Sequence, residues 1–314
     1  MKITVASGKG GTGKTTVATS LALSLMMDCG PRSMAERDLQ NAPDQAHSAA
    51  PAPLRSGDHS PLFFLDCDVE APNAHLFLNP VFERQQEVSI LVPQVEDALC
   101  TYCGRCAEVC PWHAIAVVGK KVLVFPQLCH GCGSCTLACP ESAITEIPNP
   151  IGVIESGLAR DGIAFAQGVL NIGEPMAVPI ISQLKTLGTR PITIIDASPG
   201  TACPVVESMR GADFCLLVTE PTPFGLHDLR LTVRVTQELG IPAGVLINRD
   251  GVGDSGVDDY CRQAGLPVLM RIPLDQRIAE GIARGIALVD IQPEYVGQFQ
   301  ALYAQIVEIV REQN

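Results

Sequence analysis
No part of this sequence stays apolar for anything approaching the roughly 18 residues a membrane-spanning helix needs, although hydrophobic residues fill 46% of its 314 positions. A helical span is excluded. Basic residues are scarce as well: 22 Lys and Arg stand against 34 Asp and Glu, a formal net charge of −12. Nucleic-acid binding rests largely on Lys and Arg contacts to phosphate, so no nucleic-acid partner is expected. The opening MKITVASGKGG has a strand-length apolar run but neither a longer hydrophobic region nor a small-residue cleavage site. It reads as a first strand, not a secretion signal. At the other end, GQFQALYAQIVEIVREQN has helical spacing with one basic residue, Arg311. A membrane-surface helix carries a Lys and Arg face, so this segment is expected to pack on the protein and no stable membrane anchor is expected.

Cysteine, by contrast, is plentiful. Thirteen cysteines without a secretory signal point to thiolate ligands in a reducing, cytoplasmic compartment. Eight of them form two runs of C-x2-C-x2-C-x3-C-P, Cys100 to Pro111 and Cys129 to Pro140, offset by 29 residues. This internal repeat, within 96–148, predicts a small domain with pseudo-twofold symmetry. Of the other cysteines, Cys67 and Cys215 lie in strand-like runs and Cys29 and Cys261 default to small core residues. Cys203, in GTACP, reads either as a packed thiol or as a thiolate presented near a twin copy.

A second signal lies at the start. Ile3 to Ala6 is apolar, Gly8 to Thr15 reads GKGGTGKT, and Thr15 to Met27 has helix-compatible spacing. Strand, loop and helix in that order, with G-x-x-x-x-G-K-[ST] between them, predict a phosphate loop. Gly8, Gly10, Gly11, Thr12 and Gly13 supply backbone N–H groups, Lys14 reaches the β and γ phosphates, and Thr15, with Thr16 beside it, holds Mg²⁺. Residues 28–60 are rich in Pro, Ala, Ser and charge and read as a flexible surface insertion. LFFLDCD then delivers two aspartates, ending in Asp68, to a strand end, where open α/β sheets place ligands. Asp196 ends TIID, where a second-shell Mg²⁺ carboxylate belongs. Strands are also predicted in 191–200, 212–221, 241–249 and 267–275, with a helix in 226–240. Because the phosphate loop precedes the cysteine repeat and these strands follow it, the repeat interrupts a larger domain of residues 1–95 and 149–314.

The stretch SGKGGTGKTT resembles the deviant Walker A loop of the MinD, ParA, Mrp and nitrogenase iron-protein superfamily. DCDVEAPNAHLFL and IIDASPGTACPVV look like its switch I and its Walker B with switch II, and VTEPTPFGLHDL and INR also match. The resemblance implies an α/β fold: a P-loop NTPase with a mostly parallel sheet and helices on both faces, interrupted by a small α+β ferredoxin-like domain. It implies ATP hydrolysis with Mg²⁺, slow without a partner, in a homodimer with ATP at the interface. Lys9 would be the signature lysine acting on the partner's nucleotide, Asp68 would position the attacking water, Gly200 would sense the γ phosphate and Asn248 would read adenine. Read from the residues alone, Asp68 and Asp196 are also suitable caps and Asn248 a turn residue; His75 is either a ligand or a helix-surface residue.

The cysteine runs are similar to two-cluster bacterial ferredoxins, in which the fourth cysteine, followed by proline, ligates the other cluster. One 4Fe-4S cluster would take Cys100, Cys103, Cys106 and Cys139, the other Cys129, Cys132, Cys135 and Cys110. Four-cysteine zinc sites are the alternative, although these usually show two separated C-x2-C pairs. Three roles follow: an ATPase serving electron transfer or Fe-S and metal cofactor assembly, with a redox or assembly partner; a positioning ATPase whose clusters are structural or sense redox state; and an electron-transfer module that binds nucleotide without hydrolysing it.

Overall fold
The computed structural model describes residues 1–28, 60–188 and 190–313. Apart from its end residues, the 28–60 insertion lies outside the described residues, as does Cys29. Eleven strands are described: β1 Lys2–Ala6, β2 Leu62–Cys67, β3 Val81–Val95, β4 Ile115–Val117, β5 Val122–Val124, β6 Ile144–Leu158, β7 Ala164–Leu170, β8 Ile192–Ala197, β9 Phe214–Thr219, β10 Ala243–Asp250 and β11 Val268–Pro273. Nine form one sheet in the order β11-β10-β9-β1-β8-β2-β7-β6-β3. From β11 to β7 the pairing is parallel. β6 then runs antiparallel to β7, and β3 antiparallel to β6.

Burial on both faces explains the composition of the central strands. In β9, Phe214, Leu216 and Val218 pack on one face while Cys215 and Leu217 pack on the other, so the strand reads as a continuous apolar run. On the first face lie the helices Lys14–Asp28 and Tyr295–Glu312. Lys14–Asp28 has no polar stripe because it is enclosed between sheet and terminal helix. Its hydroxyls turn back to the previous turn, with Thr19 donating to the Thr15 carbonyl at 2.7 Å and Ser24 to that of Ser20 at 2.8 Å. The terminal helix buries Tyr295, Phe299, Leu302 and Ile306, which recur at helical spacing. Fully buried side chains of this size stabilise by ~2–3 kcal/mol each, so the helix is a packed one. No helix among the described residues is long and apolar enough to cross a membrane. The opposite face carries Val178–Leu184, Cys203–Met209, Pro223–Glu238 and Gly256–Ala264.

The long ribbon of β3 and β6 reaches beyond the parallel sheet, pairing from Val81 with Leu158 to Val95 with Ile144. The cysteine repeat is mounted at its far end, with its own small hairpin of β4 and β5. Sequence patterning does not reveal β3, β6 or β7. The exposed half of the ribbon carries Glu83, Arg84, Gln85 and Gln86 in place of an apolar face, and β7, AFAQGVL, is short and dominated by small residues. Cys67, Cys215 and Cys261 are buried in the core.

Candidate functional site
The chain order reverses around β1, whose neighbours are β8 on one side and β9 on the other. Ligands of open α/β sheets bind in the crevice at such a point. The loop Ser7–Gly13 leaves β1 there and enters the helix at Lys14. Gly13 has φ +91°, and a Cβ on it would lie 2.5 Å from Asn248 Nδ2, so both backbone conformation and space require glycine. Gly11 is likewise left-handed. The Ser7 hydroxyl donates to the Lys9 carbonyl at 2.7 Å and the Gly200 N–H to the Ser7 carbonyl at 3.0 Å. These contacts tie the loop to the segment after β8.

A cavity of about 420 Å³ opens beside the loop, lined in part by Gly10, Gly11, Gly13, Lys14, Thr15 and Thr16, with Asp68 and Asn248 also on its wall. That volume lies in the range of small-molecule sites. At its other end Pro273, Leu274, Ile278 and Ile282 give it an apolar wall. Lys14 and Thr12 are buried. Asn248 Nδ2 donates to the Thr12 carbonyl at 2.8 Å, so in this arrangement its amide braces the phosphate loop.

Asp66 and Asp196 are register partners on β2 and β8. Both are fully buried. Asp66 accepts backbone N–H groups from Asp68 at 3.1 Å and from Asn73 and Ala74 at 3.0 Å each. Its carboxylate thus shapes the loop that follows β2. Sequence reading named it only as one of two strand-end aspartates. Neither oxygen of Asp196 has a hydrogen-bond partner among the described residues. Burial raises its pKa to about 7, opposed chiefly by the Lys14 charge, with Asp68 adding to the rise. A buried carboxylate without donors, next to Thr15, fits a hydrated Mg²⁺. Asp68 lines the cavity; its pKa is raised to about 6, mainly by burial, with Lys14 lowering it and Glu70 raising it. His75 begins a short helix and is half-buried, with Nδ1 unpartnered among the described residues.

Lys9 is held by a residue that sequence reading missed. Its Nζ lies 3.1 Å from Glu220 Oε2, and Arg249 Nη1 lies 2.6 Å from Glu220 Oε1. No local signal could have found this pair, since 211 residues separate Lys9 from Glu220.

In the cysteine segment, Cys100, Cys103, Cys106 and Cys139 line one cavity. Cys110, Cys129, Cys132 and Cys135 line another. The two arms repeat their backbone. Gly104 and Gly133 have φ +83° and +69° and cap the helices Arg105–Glu108 and Ser134–Leu137. Tyr102 and Gly131 N–H groups donate to Cys100 and Cys129 sulfurs at 3.4 and 3.5 Å, and Ala114 and Ala143 N–H groups to Cys110 and Cys139 sulfurs at 3.3 Å each. Amide donors to sulfur favour thiolates and tune iron–sulfur clusters. Each donor set therefore fits a four-thiolate cluster. Trp112 stacks on His130 with centroids 3.6 Å apart beside the second cavity. Cys203 is exposed at the head of its helix.

Residues 93–140 match the family described as 4Fe-4S dicluster domain. Uncharacterized protein MJ0579 of Methanocaldococcus jannaschii is 30% identical over 295 residues, covering 91% of this chain and 90% of that protein. The Iron-sulfur cluster carrier protein of the same organism is 26% identical over 133 residues, 37% of this chain and 46% of that protein. Among solved structures, the septum site-determining protein MinD complexed with Mg-ADP from Pyrococcus horikoshii OT3 aligns over 98% of this chain and 95% of its own. The TM-score is 0.51 and the identity 21%, a likeness of fold.

Proposed function
The chain belongs to one family with MJ0579, has the fold of MinD and matches a 4Fe-4S dicluster domain over residues 93–140; from that premise we propose that it is a P-loop ATPase that hydrolyses Mg-ATP as a homodimer and uses the hydrolysis to gate electron transfer through two 4Fe-4S clusters. The observation that carries this reading is structural continuity. One sheet bears the phosphate loop, Asp68 and Asp196 at its strand ends, and its antiparallel ribbon bears both four-cysteine cavities.

In this reading the loop amides and Lys14 bind the β and γ phosphates, and Lys9 acts on the nucleotide of a second copy. Asp68 orients a water for attack on the γ phosphorus. The new P–O bond forms as the bond to the ADP oxygen breaks, and the water's proton passes to phosphate or solvent by way of Asp68. Thr15, with Asp196 beside it, would hold Mg²⁺, which would neutralise charge on the phosphates. The iron–sulfur clusters supply one-electron storage. Gly200, bonded to the loop through Ser7, is positioned to register loss of the γ phosphate and release the loops.

A second reading, assembly or delivery of Fe-S or metal cofactors, is favoured by the similarity to the Iron-sulfur cluster carrier protein. Anaerobic purification with iron and sulfide counting, followed by EPR of the reduced protein with and without Mg-ATP, tests both. About eight irons per chain and a nucleotide-sensitive signal are expected for gated transfer. Loss of iron to an apo-acceptor on ATP addition would favour delivery. Bound zinc, or fewer than about two irons, would end the cluster assignment.

A further inference from the structure
Glu220 is the first residue after β9, the strand beside β1. Its side chain is only 9% exposed, whereas those of Lys9 and Arg249 are 35% and 50% exposed. A nearly buried carboxylate is therefore shared by two cations that both reach solvent, one on each oxygen. Arg249 also donates from Nη2 to the Gly11 carbonyl at 3.3 Å, which anchors it to the phosphate loop independently of Glu220. The Lys9 backbone is pinned by the Ser7 hydroxyl, so Lys9 can leave Glu220 by side-chain rotation alone.

This arrangement has an asymmetric consequence. With Lys9 as its sole counter-ion, Glu220 would be left as an unpaired buried charge whenever Lys9 moved, and such a loss strongly opposes the movement. With Arg249 on its other oxygen, the carboxylate stays paired and only its second ion pair, to the partly exposed Lys9, is given up. We infer that Glu220 is a positioning residue that holds Lys9 within its own protomer until a second copy of the chain presents a nucleotide phosphate, and that Arg249 keeps Glu220 paired after the hand-over. This inference rests on the reading of Lys9 as a residue that acts on the partner copy's nucleotide. Glu220 then opposes nucleotide-driven dimerisation, and Arg249 moderates that opposition.

The test is sedimentation velocity of the full, anaerobically purified chain against a non-hydrolysable ATP analogue with Mg²⁺. Glu220→Gln keeps the shape and removes the charge, and is expected to lower the analogue concentration at half-dimerisation by about five- to tenfold. Glu220→Asp is expected to restore most of the wild-type midpoint. Arg249→Gln leaves Lys9 as the sole counter-ion and is expected to raise the midpoint. In a Lys9→Ala background, Glu220→Gln is expected to change nothing, which separates retention of Lys9 from any general effect on folding. An unchanged midpoint in Glu220→Gln, or an equal shift with and without Lys9, would overturn the inference while leaving the role of Lys9 intact. Wild-type dimerisation by Lys9→Ala itself would overturn the underlying reading and the inference with it.

Discussion
Asp66 and Asp196 sit side by side, equally buried, and differ in what meets their oxygens. Asp66 is occupied by three backbone donors, while Asp196 has no donor among the described residues. Both Asp196 and Asp68 have pKa values raised above the usual carboxylate range, to about 7 and about 6. The folded protein therefore binds protons that the unfolded chain has released between about pH 4 and 7, and stability falls as pH rises through that window. Without Mg²⁺ and nucleotide, melting temperature is expected to decline from the acid side of the window towards pH 8. Asp196→Asn is expected to raise it at pH 8 by about 2–5 °C, measured by differential scanning calorimetry. A variant no more stable than wild type at pH 8 would contradict the unpaired, charged state assigned to Asp196. The same titration predicts that ATP turnover falls below about pH 6, as Asp68 takes up its proton.

At the scale of elements, the phosphate loop and the ribbon differ in how they announce themselves. The loop is local: glycines, Lys14 and the helix start lie within eight consecutive positions, Gly8 to Thr15, so each requirement can be read in order. The cysteine segment is legible for a related reason, because spacing repeated at a fixed offset has no structural use other than repeated ligation. The ribbon has no such signature. Its two strands are far apart in sequence, β3 is an edge strand exposed along most of its length, and what they require is close approach. A Cβ on Gly157 of β6 would lie 1.9 Å from the Val81 carbonyl oxygen of β3. Gly157→Ala must push the strands apart, and a loss of about 2 kcal/mol or more is expected in denaturant unfolding. A change within about 0.5 kcal/mol would show that the ribbon is free to shift there.

At the scale of the whole molecule, the two cysteine cavities are not equivalent. Cys129 is buried and packs with Val88, Ile90, Val92 and Ala114 in the same apolar cluster as Leu65, Cys67 and Val69 of the nucleotide-site strand and its loop. Its repeat counterpart in the other set, Cys100, is only partly buried. Serine at Cys129 places a hydroxyl in that shared core as well as removing a ligand. Cys129→Ser is therefore expected to lower the unfolding temperature of the whole chain, whereas Cys100→Ser, outside that cluster, loses iron with a smaller effect on the sheet. Equal thermal shifts in anaerobic calorimetry would argue that the cavities are packed alike.

What the sequence by itself determined is whatever depends on neighbouring residues or fixed intervals: the phosphate loop between strand and helix, the mostly parallel α/β class, the apolar strands around it, the packed terminal helix and the repeated cysteine spacing. Only the tertiary structure decided which distant groups share a carboxylate and which of two adjacent aspartates is left without donors among the described residues. Those outcomes depend on burial and on contacts between strands joined by sheet order. The ribbon is the clearest case. Its strands pair with each other, and β6 also with β7; apart from the short alternation of Val88, Ile90 and Val92 into the core, their side chains carry little of the pattern that would have revealed them.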